Sequence, residues 1–325
     1  MSEAGGFMQL KYRDIRLAAA VMGMAMLLGG CASSGGEDET AEEPRGAEFN
    51  LSALEQQCAS GEGLACASLG LLYSKGQGVA QDFDRAGSYF RQGCDLRSGQ
   101  ACSGLGVLHD EGMGVTQDID QAFRFFTLAC SYDFGRGCTN LGHQYLLGRG
   151  TSRDLGMARE LFDKGCRLED GVGCKYMGVL YEKGEGVKKD YAKAIEYYTR
   201  GCELPENLTC GSLGTMYGNG HGVPQDYAAA ATLFERGCTV SDPLSCRNLG
   251  VLLAQGQGVT QDQVRAAEMF TRACDLDYAP ACLNLADAYL HGSGVERSAE
   301  KASELQELAC RLGQRSACRG SGAAH

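Results

Sequence analysis

Cysteine is the residue type whose number and spacing point most directly to chemistry in this sequence. The chain of 325 residues has 17 cysteines, and all but one fall into pairs whose second member lies eight positions after the first. The pairs, each starting 36 residues after the previous one, are Cys58 and Cys66; Cys94 and Cys102; Cys130 and Cys138; Cys166 and Cys174; Cys202 and Cys210; Cys238 and Cys246; Cys274 and Cys282; Cys310 and Cys318. So many thiols indicate either disulfides formed in an oxidising compartment or a metal-binding protein.

The spacing argues against metal. Seven residues separate the cysteines of a pair, which is wider than the short spacing typical of structural zinc sites. The five histidines of the chain occupy no repeated position, and no H-E-x-x-H sequence is present. The sequence therefore predicts disulfides, with no metal site and no cofactor.

The period of 36 residues indicates a stacked repeat protein, in which each supersecondary unit packs on its neighbours. Within one unit, Ala101, Leu105 and Leu108 form an apolar helical stripe, and Ala122 and Phe126 belong to a second one. We call the first segment of each unit helix A and the second helix B. The predicted fold is an all-α, right-handed superhelical solenoid of αα hairpins.

Small and acidic residues at fixed positions predict where these helices begin and end. A glycine suited to the left-handed end of helix A recurs at Gly76, Gly112, Gly148, Gly184, Gly220, Gly256 and Gly292. A residue suited to the N-cap of helix B recurs at Asp82, Asp118, Asp154, Asp190, Asp226, Asp262 and Ser298. A further small residue recurs inside helix A at Gly70, Gly106, Gly142, Gly178, Gly214, Gly250 and Ala286. Because glycine there costs about 1 kcal/mol of helix propensity, we expect a neighbouring helix to approach its backbone closely.

The N-terminal part differs in composition from the repeats. Residues 1–30 combine a positively charged start with an uncharged apolar run, which is typical of a signal peptide. The tetrapeptide ending at Cys31 resembles a bacterial lipobox, so Cys31 is the expected lipidation site and accounts for the unpaired cysteine. The rest of 31–48 is rich in Ser, Gly and acidic residues, as in a flexible tether. We expect a solenoid over 49–325, with seven αα units and a half-unit at each end, and a lipid anchor in the outer membrane facing the periplasm.

The repeat resembles the Sel1-like repeat, and more closely its cysteine-rich bacterial branch, the Hcp-type family of secreted, disulfide-bridged solenoids. The motif that carries the resemblance is A-C-x-x-L-G-x-x-Y/L, then G-x-G-V-x-x-D, then A-x-x-x-F/Y-x-x-A/G-C, and it recurs over residues 58–318. The resemblance implies a solenoid whose A helices line a concave, partner-binding face. Hcp-type proteins are also labelled as penicillin-binding proteins or β-lactamases, which gives an enzymatic alternative.

Two pairings of the cysteines are sterically plausible. The first joins the members of each pair across the turn between repeats, as in Cys94–Cys102, and the second joins Cys66 to Cys94 within one hairpin. The second scheme leaves Cys58 and Cys318 without partners, whereas the first uses all the paired cysteines. We therefore expect bridges eight residues apart, each worth about 2.5 kcal/mol in the chain-entropy account.

The enzymatic alternative depends on Ser298 and Lys301, which match S-x-x-K. The chain has no Ser-Asp-Asn and no Lys-Thr-Gly sequence to complete that active site. Ser298 also occupies the register of the aspartate N-caps, which predicts a structural role. The sequence favours a protein without catalysis.

A binding function requires positions that vary while the repeat frame stays fixed. The candidates on helix A are Asn140, His143, Lys175, Tyr176, Arg247, Asn248 and Asn284. Asparagine can both donate to and accept from a peptide backbone, and Lys175 or Arg247 could pair with a carboxylate. The net charge of −11 argues against nucleic acid. We expect a monomeric envelope scaffold that binds a protein or peptide.

Overall fold

The computed structural model describes residues 50–206 and 208–319, and the compact unit discussed below begins at Leu51. Its α-helices are α1 (Leu51–Ala59), α2 (Gly63–Lys75), α3 (Phe83–Asp95), α4 (Gly99–Glu111), α5 (Ile119–Ser131), α6 (Gly135–Leu147), α7 (Leu155–Arg167), α8 (Gly171–Lys183), α9 (Tyr191–Glu203), α10 (Cys210–Asn219), α11 (Tyr227–Thr239), α12 (Pro243–Gln255), α13 (Gln263–Asp275), α14 (Ala279–His291) and α15 (Ala299–Arg311). The signal peptide, Cys31 and the tether of 31–48 lie outside the described residues.

Each even-numbered helix packs as helix A against the odd-numbered helix B that follows it, and each B packs on the next A. These contacts give seven hairpins, from α2/α3 to α14/α15, with α1 as the half-unit before them. After α15 the described chain forms only a short 3-10 turn, Ala317–Arg319. The all-α solenoid predicted from the sequence is confirmed.

The disulfides fix the turns between successive hairpins, because each bridge joins the end of one helix B to the first turns of the chain that follows it. Their Cα–Cα distances range from 4.4 Å at the third bridge to 5.0 Å at the last. The first seven bridges are buried, whereas both cysteines of the last one are partly exposed. The predicted pairing of cysteines eight residues apart is confirmed at Cys58–Cys66, Cys94–Cys102, Cys130–Cys138, Cys166–Cys174, Cys202–Cys210, Cys238–Cys246, Cys274–Cys282 and Cys310–Cys318.

The helix ends follow the predicted register. In α5 the carboxylate of Asp118 accepts a hydrogen bond from the Gln121 backbone N–H, and the other B helices that follow a loop begin in the same way. Helix α4 ends at Gly112 in the left-handed conformation, with φ of 68°, where a side chain would be strained. The loop between helix A and helix B of one unit is therefore a short hairpin connection, with a glycine cap at its start and an aspartate or serine cap at its end.

The glycines inside helix A are in contact chiefly with aromatic rings. A Cβ at Gly178 would lie 2.2 Å from the ring of Tyr198 on the paired helix B, a distance that no packing permits. Phenylalanine takes the place of Tyr198 in the other hairpins with a central glycine. In the last hairpin Ala286 replaces the glycine, and Gln306 stands where the ring would be. The expected close approach is present, but its main partner is a ring of helix B rather than a helix backbone.

The fifth inter-repeat turn departs from the pattern because of Pro205. In the other turns between hairpins this register has positive φ, for example 61° at Arg97 and 62° at Glu169. Proline is restricted to φ near −65°, so Pro205 cannot adopt the positive φ that the other turns have at this position. Leu204 is extended instead, and α10 begins at Cys210 with 10 residues rather than 13.

Helices A form the inner layer of the solenoid. Successive A helices contact one another from α2 to α8 and again between α10 and α12, whereas in the described part of the chain successive B helices approach less closely. Long basic side chains bridge the B layer instead: Lys164, Arg236 and Arg272 donate to the carbonyls of Cys130, Cys202 and Cys238, each in the preceding helix B. These carbonyls lie at helix C-termini, where the macrodipole favours positive charge.

No helix within residues 50–206 and 208–319 is long and apolar enough to cross a membrane.

Candidate functional site

The candidate site consists of two adjacent registers of the A helices that contain most of the predicted binding residues, and we call it the A-helix surface. One register of this surface consists of Ser68, Gly104, Asn140, Tyr176, Ser212, Asn248 and Asn284. The preceding register consists of Ala67, Ser103, Thr139, Lys175, Gly211, Arg247 and Leu283. Since successive A helices are neighbours, residues about 36 positions apart come together here.

A buried polar cluster lies between two neighbouring A helices, α4 and α6. The Asp110 side chain is 1% exposed and lies 3.0 Å from the Arg149 guanidinium. Gln144, also buried, donates to the same carboxylate at 3.0 Å. At the position of Gln144 most other repeats have leucine. This cluster connects the second and third hairpins through a charge that is shielded from water.

Two of the candidate residues lie beside this cluster. Asn140 is 5% exposed and donates to the Ser103 hydroxyl at 3.3 Å, and His143 is 8% exposed. The ring of His143 lies 6.0 Å from that of Tyr176, which stacks on Phe162 at 4.4 Å. Little of Asn140 or His143 is therefore accessible, and Tyr176 is the partly exposed member of this group.

The remaining candidates separate into a cluster and a single residue. Arg247 donates through Nε to Asn284 Oδ1 at 3.1 Å and through Nη1 to Asn248 Oδ1 at 3.2 Å. The structure therefore brings these three partly exposed residues together across α12 and α14. Lys175 lies next to Tyr176 on α8, two repeats away from Arg247.

A second charged network crosses the turns at the start of helix A. Arg136 pairs with Asp170 at 2.5 Å and with Glu206 at 3.6 Å, so one guanidinium connects two successive turns. Burial raises the pKa of Glu206, and Asp170 raises it further, while Arg136 acts in the opposite direction. The network joins the third repeat to the irregular turn at Pro205.

Ser298, the serine of the enzymatic alternative, is the N-cap residue of α15. The Ser298 hydroxyl accepts a hydrogen bond from the Lys301 backbone N–H at 3.2 Å, as an N-cap does, and the Lys301 ammonium lies over the Tyr289 ring at 5.2 Å. The two functional groups of the S-x-x-K sequence thus have separate contacts. In the described ranges, no three His, Cys, Asp or Glu side chains are placed to hold a metal ion.

The comparisons with known proteins agree with this architecture. The Sel1 repeat family matches residues 63–98, 99–131, 135–170, 172–205, 211–240, 243–278 and 279–314. The chain belongs to the Sel1 repeat family. No curated protein matches it.

Solved structures extend the likeness to the fold. A protective antigen of uropathogenic Escherichia coli with an SLR fold is 28% identical over 85% of this chain and 60% of its own, with a TM-score of 0.66. A Sel1 repeat protein from Oxalobacter formigenes is 25% identical over 81% of this chain and 99% of its own, also with a TM-score of 0.66. Cysteine rich protein B of Helicobacter pylori is 25% identical over 40% of this chain and 96% of its own, with a TM-score of 0.34. The chain spans about three fifths of the E. coli antigen.

The Sel1 repeat solenoid that these findings establish is an architecture suited to protein–protein interaction. Within the Sel1 repeats, the Asp110–Gln144–Arg149 cluster was not predicted from the sequence. Gln144 in a register of leucines was the signal that could have revealed it. The basic residues that cap the preceding helix B were missed as well, although Lys164, Arg200, Arg236 and Arg272 share one register.

The burial of His109 makes the stability of its Sel1 repeat depend on pH. It stands in the helix A tyrosine register, stacks on Phe125 with a centroid distance of 5.4 Å, and its buried Nδ1 has no hydrogen-bond partner among the described residues. Burial lowers the pKa of His109, because the charged ring loses solvation; Arg91 lowers it further and Asp118 opposes both. The folded protein therefore binds this proton less readily than the unfolded chain does.

We expect the protein to lose stability as the pH falls below about 6.5, the ordinary pKa of histidine, because the unfolded state then gains the proton first. His109→Tyr, which restores the residue of neighbouring repeats, should lose less stability than the wild type between about pH 7 and pH 5. The midpoint of urea unfolding at each pH measures this difference. Parallel pH profiles for the two proteins would contradict the assignment to His109.

Proposed function

We propose that this Sel1 repeat protein is a lipid-anchored scaffold of the bacterial cell envelope that binds a protein or peptide along its A-helix surface, without catalysis. Cys31 is the proposed lipidation site, and the outer membrane facing the periplasm is the proposed location. The buried disulfides support an oxidising compartment. The acidic segment before α1 would separate the solenoid from the membrane.

The observation that carries the binding proposal is the connection of polar side chains from one A helix to the next. Arg247 of α12 contacts Asn284 of α14. In the register of Asn284, the side chains of Ser68, Tyr176 and Ser212 are also partly exposed. The frame of the repeat needs none of these groups, because it depends on the disulfides, the caps and the glycine–ring contacts. Amide and hydroxyl groups spaced along one surface can bind the backbone of an extended peptide.

Photocrosslinking in intact envelopes tests this proposal. A benzophenone side chain placed at Ser68 or Ser212, both partly exposed on the A-helix surface, should form a discrete adduct with a protein or peptide. The matched control positions are Glu196 and Glu268, exposed on B helices, and they should form none. Adducts of equal yield from both layers would contradict binding at the A-helix surface.

The anchor is tested in the same preparations. Cys31→Ser should move the protein from the membrane fraction to the soluble periplasmic fraction, because the thiol that would carry the lipid is removed. Membrane association that persists in Cys31→Ser would contradict lipidation at this residue.

A further inference from the structure

Arg247, Asn248 and Asn284 form a compact set of hydrogen-bond donors on the A-helix surface, which we call the donor cluster. Guanidinium groups only donate, so the side-chain oxygens of both asparagines face Arg247 and their NH₂ groups are directed elsewhere. Arginine has five N–H donors and the two contacts with asparagine use two of them, leaving about three for a ligand. The cluster thus presents guanidinium and amide donors together.

The charge of Arg247 is not balanced by a neighbouring carboxylate. Two other partly buried arginines lie beside acids: Arg136 beside Asp170 and Arg149 beside Asp110. In the described residues no carboxylate lies within ion-pair distance of Arg247, and its hydrogen-bond partners are neutral amides. Positive charge that is partly removed from water without a counter-charge favours an anion from outside.

Asp287 lies one helical turn after Asn284 on α14 and is the acidic residue nearest to Asn284 in sequence. Its carboxylate is 72% exposed and lies 3.3 Å from His291 Nδ1, one turn further on. Asp287 lies outside ion-pair distance of Arg247, although its negative charge would weaken the binding of an anion at the cluster.

We propose that the donor cluster binds a carboxylate of the peptide partner, either its C-terminal group or an Asp or Glu side chain. The planar guanidinium of Arg247 matches the two oxygens of a carboxylate, and the asparagine NH₂ groups can donate to the same oxygens or to the adjoining backbone. This inference rests on the proposed peptide-binding function. It adds the chemical group that the partner must present and the repeats, sixth and seventh, at which it is held.

Three pools of acetylated octapeptides with randomised neutral residues test the proposal on the full chain. The first has a free C-terminal carboxylate, the second a C-terminal amide and one glutamate, and the third a C-terminal amide and no acid. The first or the second pool should be retained at least about tenfold more than the third, as expected for charge-assisted hydrogen bonds. Whether the first or the second pool is retained identifies the source of the carboxylate.

Two matched arginine variants distinguish binding at the donor cluster from a general effect of positive charge. Arg247→Gln should abolish the preference for acidic pools, while Arg265→Gln, which removes an exposed arginine from α13, should retain it. Asp287→Asn should strengthen the preference, because it removes the competing negative charge.

Equal retention of all three pools by the wild type, or a preference that survives in Arg247→Gln, would overturn the proposal. Retention of the neutral pool that is lost when Ser212 is replaced by a bulky residue would leave the proposed function intact and contradict only the carboxylate site. Retention of no pool would count against both.

Discussion

Replacing Arg149 with glutamine should lower the free energy of unfolding by about 3 kcal/mol, the largest effect we expect from a single substitution. Arg149 lies 3.0 Å from the carboxylate of Asp110, whose side chain is 1% exposed. Removing the guanidinium takes away the charge partner of a carboxylate that water cannot reach. The midpoint of urea unfolding, followed by far-ultraviolet circular dichroism, measures the loss.

The chain itself provides the matched control. The next repeat has Leu146 in the register of Asp110, and glutamine occupies the register of Arg149 elsewhere, at Gln77 and Gln257. Asp110 also accepts a hydrogen bond from buried Gln144, whose register has leucine in most other repeats. Adding Asp110→Leu and Gln144→Leu to Arg149→Gln should therefore recover most of the lost stability, because no buried polar group is then left without a partner. A triple variant as unstable as Arg149→Gln alone would show that packing, rather than the unpaired charge, dominates.

Removing the Cys166–Cys174 disulfide by replacing both cysteines with alanine should lower the free energy of unfolding by about 2.5 kcal/mol. The bridge closes a short loop, and both cysteines are fully buried where α7 is followed by α8. Without it, the unfolded chain gains conformational freedom, and two packed hairpins lose the covalent link at their shared turn. Urea unfolding of the variant, with the remaining thiols shown to be oxidised, measures the effect.

The Cys310–Cys318 pair is the control for position in the solenoid. Its residues are partly exposed, and Cys318 belongs to a short 3-10 turn rather than to a helix A. Replacing both with alanine should cost less, because only the end of the last hairpin is released. Equal losses from the two pairs would mean that the internal bridge does no more than close a loop.

The sequence alone predicted the features that depend on contacts close along the chain. Eight-residue spacing predicted the disulfides, and recurring glycine and aspartate predicted where helices end and begin, because caps and short loops are local structures. The period of 36 residues predicted the solenoid for a related reason: each unit contacts little besides its neighbours. The irregular turn at Pro205 was not predicted from the sequence, although its cause, the restricted φ of proline, is also local.

The tertiary structure decided how side chains of different repeats meet. The sequence suggested that a helix would approach Gly178, but the nearest group is the ring of Tyr198 on the paired helix B. Asn140, Asn248 and Asn284 share one register, yet Asn140 is buried while the others contact Arg247. The register of a residue fixes which helix it belongs to and which side of that helix it occupies. Whether it reaches solvent, a carboxylate or another amide depends on the neighbouring repeats, since burial and charge are properties of the packed layer.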